Sequence, residues 1–324
     1  MTTLRIAFAG LAHSHPFTDA TNLRTLQEQG EDIDLVTAYD SDATTLSQFS
    51  HRFTIAPVSS LDELAATAPD LVIATPRPHE IVHTTELLLR DTEAQLFFNK
   101  VVAASDEQLS RWNETISAAP DRVGTSSVLR FAPAIAKLAE RVDATEARAV
   151  RVLAQHDISM FLVPDRAWQD SPVSGGGTLV TVGTHAWEMI DRVFPGARAD
   201  EHVSGWIHRD PDSRTCSEDG AAMNGTFIVP DGTSIPFSIV IAGSPGPEIY
   251  SIDVFTSTGL LRAELEHPGP GHSLGYIELA RALISRTSHG LPTAPWSSAQ
   301  TVVGNTIRTA QALRGQTQRK VSAS

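Results

Sequence analysis

The stretch Leu4-Arg-Ile-Ala-Phe-Ala-Gly10-Leu-Ala-His-Ser-His15, with Asp40 some thirty residues beyond its glycine, decides how the chain is read. Leu4 to Ala9 has the pattern of a short strand buried on both faces, and Gly10 ends it. Pro16 suits the first turn of a helix reaching about Gln29, with Gly30 as its C-cap. Asp34 to Tyr39 reads as a second strand, closed by Asp40. Strand, glycine turn, helix and acid-terminated strand together make the layout of a dinucleotide-binding unit. In that layout Gly10, Leu11, Ala12, His13, Ser14 and His15 are the candidates to receive a pyrophosphate at the turn and helix N-terminus. Asp40 is the candidate for the ribose hydroxyls, and its charge would repel the extra phosphate of NADP, so NAD is the expected cofactor. The G-x-G-x-x-G fingerprint is broken at Ala12 and His15, and His15 puts a large group where helix and strand approach closely. A doubly wound domain that binds no nucleotide is the alternative.

The same period continues through a helix from Ser60 to Ala66, a strand from Leu71 to Thr75, a helix from Ile81 to Arg90 and a strand from Ala94 to Asn99. Ser59 or Ser60 is available as N-cap of the first of these helices. Strands alternating with helices imply a parallel sheet with right-handed crossovers, and ligands bind beyond the C-terminal ends of its strands. Gly10, Asp40, Thr75-Pro76 and Asn99-Lys100 all fall at such ends. A crossing into a second domain is expected at Ser126 to Pro133, dividing the chain into residues 1–126 and 127–324.

Composition agrees with two soluble domains. The chain has 324 residues, 41% hydrophobic and 19% charged. A net charge of −13 argues against a nucleic-acid or anionic-membrane surface, and Cys216 is the sole cysteine, so no disulfide framework is expected. No apolar run approaches the roughly 18 residues of a membrane span. The amino terminus leads straight into a strand pattern without a signal-peptide core, so a cytoplasmic location is expected.

In the second half, Arg148 to Gln155 reads as a strand, followed by strand patterns over Glu201–Ile207, Ala221–Val229, Ser234–Ala242, Ile249–Thr256 and Leu260–Leu265. Asp231-Gly232 is a hairpin signal, and Gly243 to Pro247 and His267 to Gly271 read as loops. Helices are expected from about Tyr276 to Ser285 and from Ser298 to Leu313, with Gly315 as a cap and a polar tail from Gln316. This is an α+β domain with a largely antiparallel open sheet. Between the first strand and the rest lies Trp168-Gln-Asp-Ser-Pro-Val-Ser-Gly175-Gly-Gly-Thr-Leu-Val-Thr-Val-Gly-Thr-His185. The three glycines allow close approach of backbone or ligand. A helix is expected after them, with Leu179, Val182, Ala186, Met189, Ile190 and Val193 as its apolar stripe. Thr181, His185 and Glu188 would share an adjoining face. There His185 is either a general acid or base or a hydrogen-bonded, half-buried histidine.

Four segments, Asp70-Leu-Val-Ile-Ala-Thr-Pro76, Phe98-Asn-Lys-Val101, Arg130-Phe-Ala-Pro133 and Trp168-Gln-Asp with Gly175-Gly-Gly and Gly183-Thr-His185, occur in one order. Together they resemble the Gfo/Idh/MocA family of glucose–fructose oxidoreductase and inositol dehydrogenase, over nearly the whole chain. The resemblance implies an α/β Rossmann domain, parallel and doubly wound, followed by the α+β domain. It implies an NAD(P)-dependent dehydrogenase or reductase acting on CH–OH groups of a sugar, polyol or related small molecule, held in the cleft between the domains. Lys100 matches the family's Glu-Lys-Pro lysine, and His185 its catalytic histidine. Lys100 would favour a developing alkoxide and His185 would take the proton. Arg130 and Trp168 join them as substrate-side candidates. Three departures stand out: Thr181 replaces the family's aspartate, Asn99-Lys100-Val101 replaces Glu-Lys-Pro, and the fingerprint carries Ala12 and His15. The family's use of its broad sheet implies a homodimer or homotetramer. The pairs His13/His15 and His79/His83 lack a well-placed carboxylate, so no metal is assigned. The rival reading is a non-catalytic NAD- or sugar-binding sensor of the same fold.

Overall fold

The buried runs and turn signals of the first half build a single parallel sheet. The computed structural model describes residues 3–244, 246–267 and 274–322. The loop read over His267 to Gly271 lies outside these from residue 268 on, as do Pro245 and the last two residues. Strands β1 (Leu4–Ala9), β2 (Ile33–Tyr39), β3 (Ala56–Pro57), β4 (Leu71–Ala74), β5 (Gln95–Asn99) and β6 (Val123–Ser126) alternate with helices α1 (His15–Glu28), α2 (Ala43–Phe53), α3 (Leu61–Ala66), α4 (Ile81–Asp91) and α5 (Asp106–Ile116). The strand order is β3-β2-β1-β4-β5-β6, with every neighbouring pair parallel. The chain thus winds outward on one side of β1 and then on the other, which is the doubly wound order.

Helix starts are set by short side chains. Asp42 accepts from the Thr45 amide at 2.8 Å to begin α2, and Ser60 accepts from Glu63 at 3.1 Å to begin α3. Glu63 in turn accepts from the Ser59 amide at 2.8 Å, so two orphan donors are satisfied reciprocally. Helices α2 and α5 and strand β6 were not read from sequence; α2 and α5 present many polar residues and short apolar stripes.

The second unit contains α6 (Pro133–Ala139), β7 (Ala147–His156), α7 (Ala167–Asp170), α8 (Gly177–Thr181), α9 (Gly183–Val193), β8 (Arg198–Ala199), β9 (Ser204–His208), β10 (Gly220–Ile228), β11 (Ser234–Gly243), β12 (Glu248–Thr256) and β13 (Gly259–His267). Its seven strands run β13-β12-β7-β11-β10-β8, with β9 also on β10, and all pairs but β7–β11 are antiparallel. One face is the core: Val150, Val152, Ile239, Ile241, Ile252 and Val254 are buried, and Trp187 of α9 meets Phe237 edge-on at 5.2 Å. The opposite face carries a row in which Ser238, Arg151, Asp253 and Arg262 stand side by side across four strands. It also carries the exposed Trp206, Val240, Phe255 and Leu260.

The helix expected after the triple glycine is broken in two. The α8 segment stops at Thr181 and α9 starts at Gly183, so the apolar stripe from Leu179 to Val193 spans a joint at Val182. Gly176 and Gly177 have φ of 87° and 61°, and a Cβ on Gly175 would stand 2.0 Å from the Trp168 carbonyl oxygen. Arg314 fixes this turn by donating to the Gly176 carbonyl and to Glu218, both at 2.7 Å.

The last two helices are α10 (Tyr276–Ser288) and α11 (Trp296–Ser322). Gly315 does not cap α11. The helix continues through it to Ser322, because the residues that follow are helix-compatible and contain no proline. By contacts the chain divides into residues 1–102, 107–126 and 276–299 on one hand and 103–106, 127–275 and 300–324 on the other. Residues 276–299 therefore pack with the first sheet, a return that a boundary at 126/127 does not express. Trp296 packs edge-on to the fully buried Trp112 at 4.5 Å and donates to Asn113 at 2.9 Å. Gly124 in β6 is bridged to Pro295.

A Cβ on Gly124 would lie 1.8 Å from the Thr293 carbonyl oxygen. Gly124→Ala is therefore expected to destabilise the first unit by about 2–3 kcal/mol, the range of a forced backbone shift in a packed site. Urea unfolding reads this directly, and an unchanged midpoint would contradict the packing described.

Candidate functional site

In the first unit the site residues gather at the C-terminal edge of the sheet. Gly10 (φ 83°) lies at the point where strand order reverses between β1 and β4. A Cβ there would come within 2.7 Å of Pro76, so glycine is the residue that lets the two loops pass. Backbone bonds tie the ends together: Gly10 N–H donates to Tyr39 at 2.8 Å, Ala12 N–H to Thr75 at 3.0 Å and Thr75 N–H to Ala9 at 2.9 Å.

Asp40 is placed differently from a simple ribose acceptor. Its side chain is 0% exposed. One oxygen accepts from the Leu11 amide at 2.5 Å, and the other accepts from Asp42 at 2.7 Å and from Arg77 at 3.3 Å. A ribose hydroxyl would have to share oxygens that already hold the glycine turn. Outward of Asp40 lie Ser41, Arg77 and Glu80: Ser41 donates to Glu80 at 2.7 Å, and Arg77 donates to Ser41 at 3.0 Å. Ser41 and Glu80 border a cleft lined also by Gly10, Tyr39, Pro76 and His83. Sequence reading did not single out Arg77 or Glu80; the sole signal is their position just after a strand-end proline.

The remaining first-unit candidates are brought to the same edge. The His13 ring shares a hydrogen bond of 3.2 Å with the Lys100 carbonyl and accepts from the His15 amide at 3.2 Å. His15 fits at the third-glycine position by turning its ring edge-on to His13 and to Tyr276 of α10. Ser14 stands at the N-cap of α1 and makes no side-chain cap bond. Asn99 donates to Thr75 at 2.9 Å and to Asp19 at 3.0 Å. Lys100 follows it, buried, and the Lys100–Val101 peptide is cis. Burial raises the Asp19 carboxyl to about 7, the bond from Asn99 opposing the shift.

The second unit assembles its own cluster. His185 is 4% exposed, and its Nδ1 shares a 2.5 Å hydrogen bond with the Ser127 hydroxyl. Glu188 accepts from the Ser127 amide at 3.1 Å and from Arg130 at 3.1 Å, and Asp191 accepts from Arg130 at 2.7 Å. Arg130 is thus committed to two buried carboxylates. Burial pushes the Glu188 carboxyl up while the Arg130 guanidinium opposes this. Tyr250 packs against the His185 ring at 5.1 Å, and His156 is bonded to the Tyr250 hydroxyl at 3.1 Å and paired with Glu248 at 3.0 Å. Ser127, Tyr250, His156 and Glu248 were not among the sequence candidates, because nothing in their spacing links them to position 185. Thr181 is buried at the end of α8, across the joint from His185. Trp168 is half-buried in α7, its carbonyl against Gly175.

The Asp19 carboxyl supplies a pH test. In the unfolded chain it ionises near 3.8 and in the fold near 7, so between these values the folded state holds one more proton. Stability should therefore fall as pH rises through that window. Asp19→Asn keeps an acceptor for Asn99 and is expected to be more stable than the parent at about pH 8 and not at about pH 4. Parallel stability profiles for the two proteins would rule the assignment out.

No protein-family model matches the chain, and no curated protein matches it. Among the solved structures it resembles is GenD2 from gentamicin A biosynthesis in complex with NAD, at 19% identity and a TM-score of 0.76, covering 97% of this chain and 95% of that one. A second is a myo-inositol dehydrogenase from Corynebacterium glutamicum ATCC 13032, at 16% identity and TM-score 0.73, covering 97% and 96%. A third is myo-inositol 2-dehydrogenase from Lactobacillus plantarum, at 13% identity and TM-score 0.76, covering 97% of each chain. At these identities the likeness is one of fold: both units of this chain take the architecture of these proteins.

Proposed function

We propose that the protein is an NAD(P)-dependent oxidoreductase of the Gfo/Idh/MocA type, with NAD as its cofactor, acting on a CH–OH group of a sugar, polyol or related small molecule. The observation that carries this reading is the gathering of Gly10, Thr75-Pro76 and Asn99-Lys100 at one sheet edge, beside the cleft bordered by Ser41 and Glu80. The residues fit a dinucleotide: Gly10 leaves no side chain over the turn, and Ser14 leaves the start of α1 without a side-chain cap. Gly10 through His15 would hold the pyrophosphate, with Thr75, Pro76 and Asn99 along its path. When bound, the nicotinamide supplies hydride acceptance and donation.

The chain's own residues supply the proton chemistry. Lys100 would bind the substrate oxygen and favour its alkoxide. His185 would take the hydroxyl proton at Nε2, which requires that Nδ1–H donate to Ser127. Glu188 and Arg130 hold Ser127 and with it the tautomer and angle of the ring. Thr181 and Trp168 would contribute to the substrate side. The exposed Trp206, Val240, Phe255 and Leu260 support self-association through the open sheet face, as a homodimer or homotetramer.

A second reading, a sensor that binds NAD or a sugar without turnover, is favoured by Thr181 at the aspartate position and by turn amides of Leu11, Ala12 and His15 already bonded within the protein. Energy transfer from tryptophan to NADH tests binding, and turnover then separates the cases. Binding is expected, and with it NAD reduction by at least one polyol or sugar; binding without reduction across a broad panel would favour the sensor. In an active preparation His185→Ala should lower kcat by about 10²- to 10⁴-fold, the usual contribution of a positioned general base. Turnover at the parent rate would remove His185 from the mechanism. Trp206→Asp should lower the oligomeric mass measured by light scattering, and an unchanged mass would locate the interface elsewhere.

A further inference from the structure

We infer that Glu80, rather than Asp40, is the acid that reads the adenosine ribose and excludes a 2′-phosphate, and that Arg77 is a phosphate-binding group kept silent by its two carboxylate partners. This rests on the dinucleotide reading above. Asp40 has a fully buried side chain whose oxygens accept from the Leu11 and Asp42 amides and from Arg77. Glu80 keeps about a quarter of its side chain exposed and lines the cleft together with Ser41 and Gly10. Its two oxygens accept from the Ser41 hydroxyl at 2.7 Å and from the Arg77 amide at 3.0 Å, which aims the carboxylate along the cleft wall.

An arginine beside the end of β2 would ordinarily welcome the 2′-phosphate of NADP. Here one guanidinium nitrogen lies 3.3 Å from Asp40 and 3.6 Å from Glu80, so one positive charge meets two negative ones. Asp42 also acts on the guanidinium, so the local sum is negative, which repels a phosphate dianion and tolerates a hydroxyl donor. The Tyr39 phenol on the same wall feels that sum: it is shifted up by burial and then by Glu80 and Asp40.

Glu80→Gln keeps one of the two acceptor oxygens and removes the charge, and Arg77→Gln in the same background removes the guanidinium. Dissociation constants for NADH and NADPH, read by fluorescence, form the test, with 5′-AMP and adenosine 2′,5′-bisphosphate as fragments in calorimetry. The parent is expected to prefer NADH at least tenfold. Glu80→Gln should cut that preference by about tenfold or more, through tighter NADPH binding together with weaker NADH binding. The double variant should lose the gain. An unchanged preference in Glu80→Gln, or a gain that survives loss of Arg77, would overturn the inference. Failure of the parent to bind either dinucleotide would instead overturn the oxidoreductase reading on which it rests.

Discussion

The geometry of the first unit depends on one buried charge. A carboxylate removed from water is costly unless it is paired and hydrogen-bonded. Asp40 meets that condition only while the Leu11 amide, the Asp42 amide and Arg77 surround it. The requirement draws the glycine turn, the end of β2 and the loop after β4 to one point. Gly10 then has to adopt a left-handed conformation against Pro76, since a side chain would collide with the proline backbone. The same contacts that stabilise the sheet edge therefore position the amides and side chains available to a ligand. Asp40 is tied in this way to the protein's own backbone and to Arg77.

The second unit uses the same device with the charges reversed. Arg130 lies between Glu188 and Asp191, and Ser127 receives its support from Glu188 while touching His185. Thr181 leaves the imidazole without the carboxylate found in the resembled family at that position. Within the described network Glu188 reaches His185 through Ser127. Such an arrangement orients the ring more than it stabilises its cation, since the Coulomb contribution weakens with each added ångström while a short hydrogen bond fixes direction.

The strands β1, β2, β4 and β5 were legible as short apolar runs alternating with helical patterns, with Gly10 and Pro76 marking the ends of β1 and β4. The antiparallel sheet was legible from alternation, and Asp231-Gly232 marked its hairpin. Helices α2 and α5 were not, because a surface helix with a narrow apolar stripe looks like a polar loop when only its residue types are counted. The joint at Val182 was hidden because the apolar spacing continues across it; the break comes from Gly175 through Gly177 packing on the Trp168 backbone, a contact distant from the stripe itself. At the site, Gly10, Asp40, Asn99, Lys100 and His185 could be picked out by position or resemblance. Arg77 and Glu80 could not, since their significance lies in the company they keep around Asp40. Tyr250 and His156 sit on β12 and β7, strands whose pairing brings together residues nearly a hundred positions apart.

The return of residues 276–299 to the first sheet sets an order of assembly. Asn113 meets Trp296 across 183 positions of sequence, and β6 finds Pro295 only after residues 127–275 of the second unit have been made. On the ribosome the first 126 residues can form their parallel strands while the flank of β6 and the indole of Trp112 still lack their cover. Closing a loop of that length costs only a few kcal/mol more than closing a short one, but it delays the contact until late in synthesis. The parallel-sheet half of the chain is thus the first to begin folding and among the last to finish.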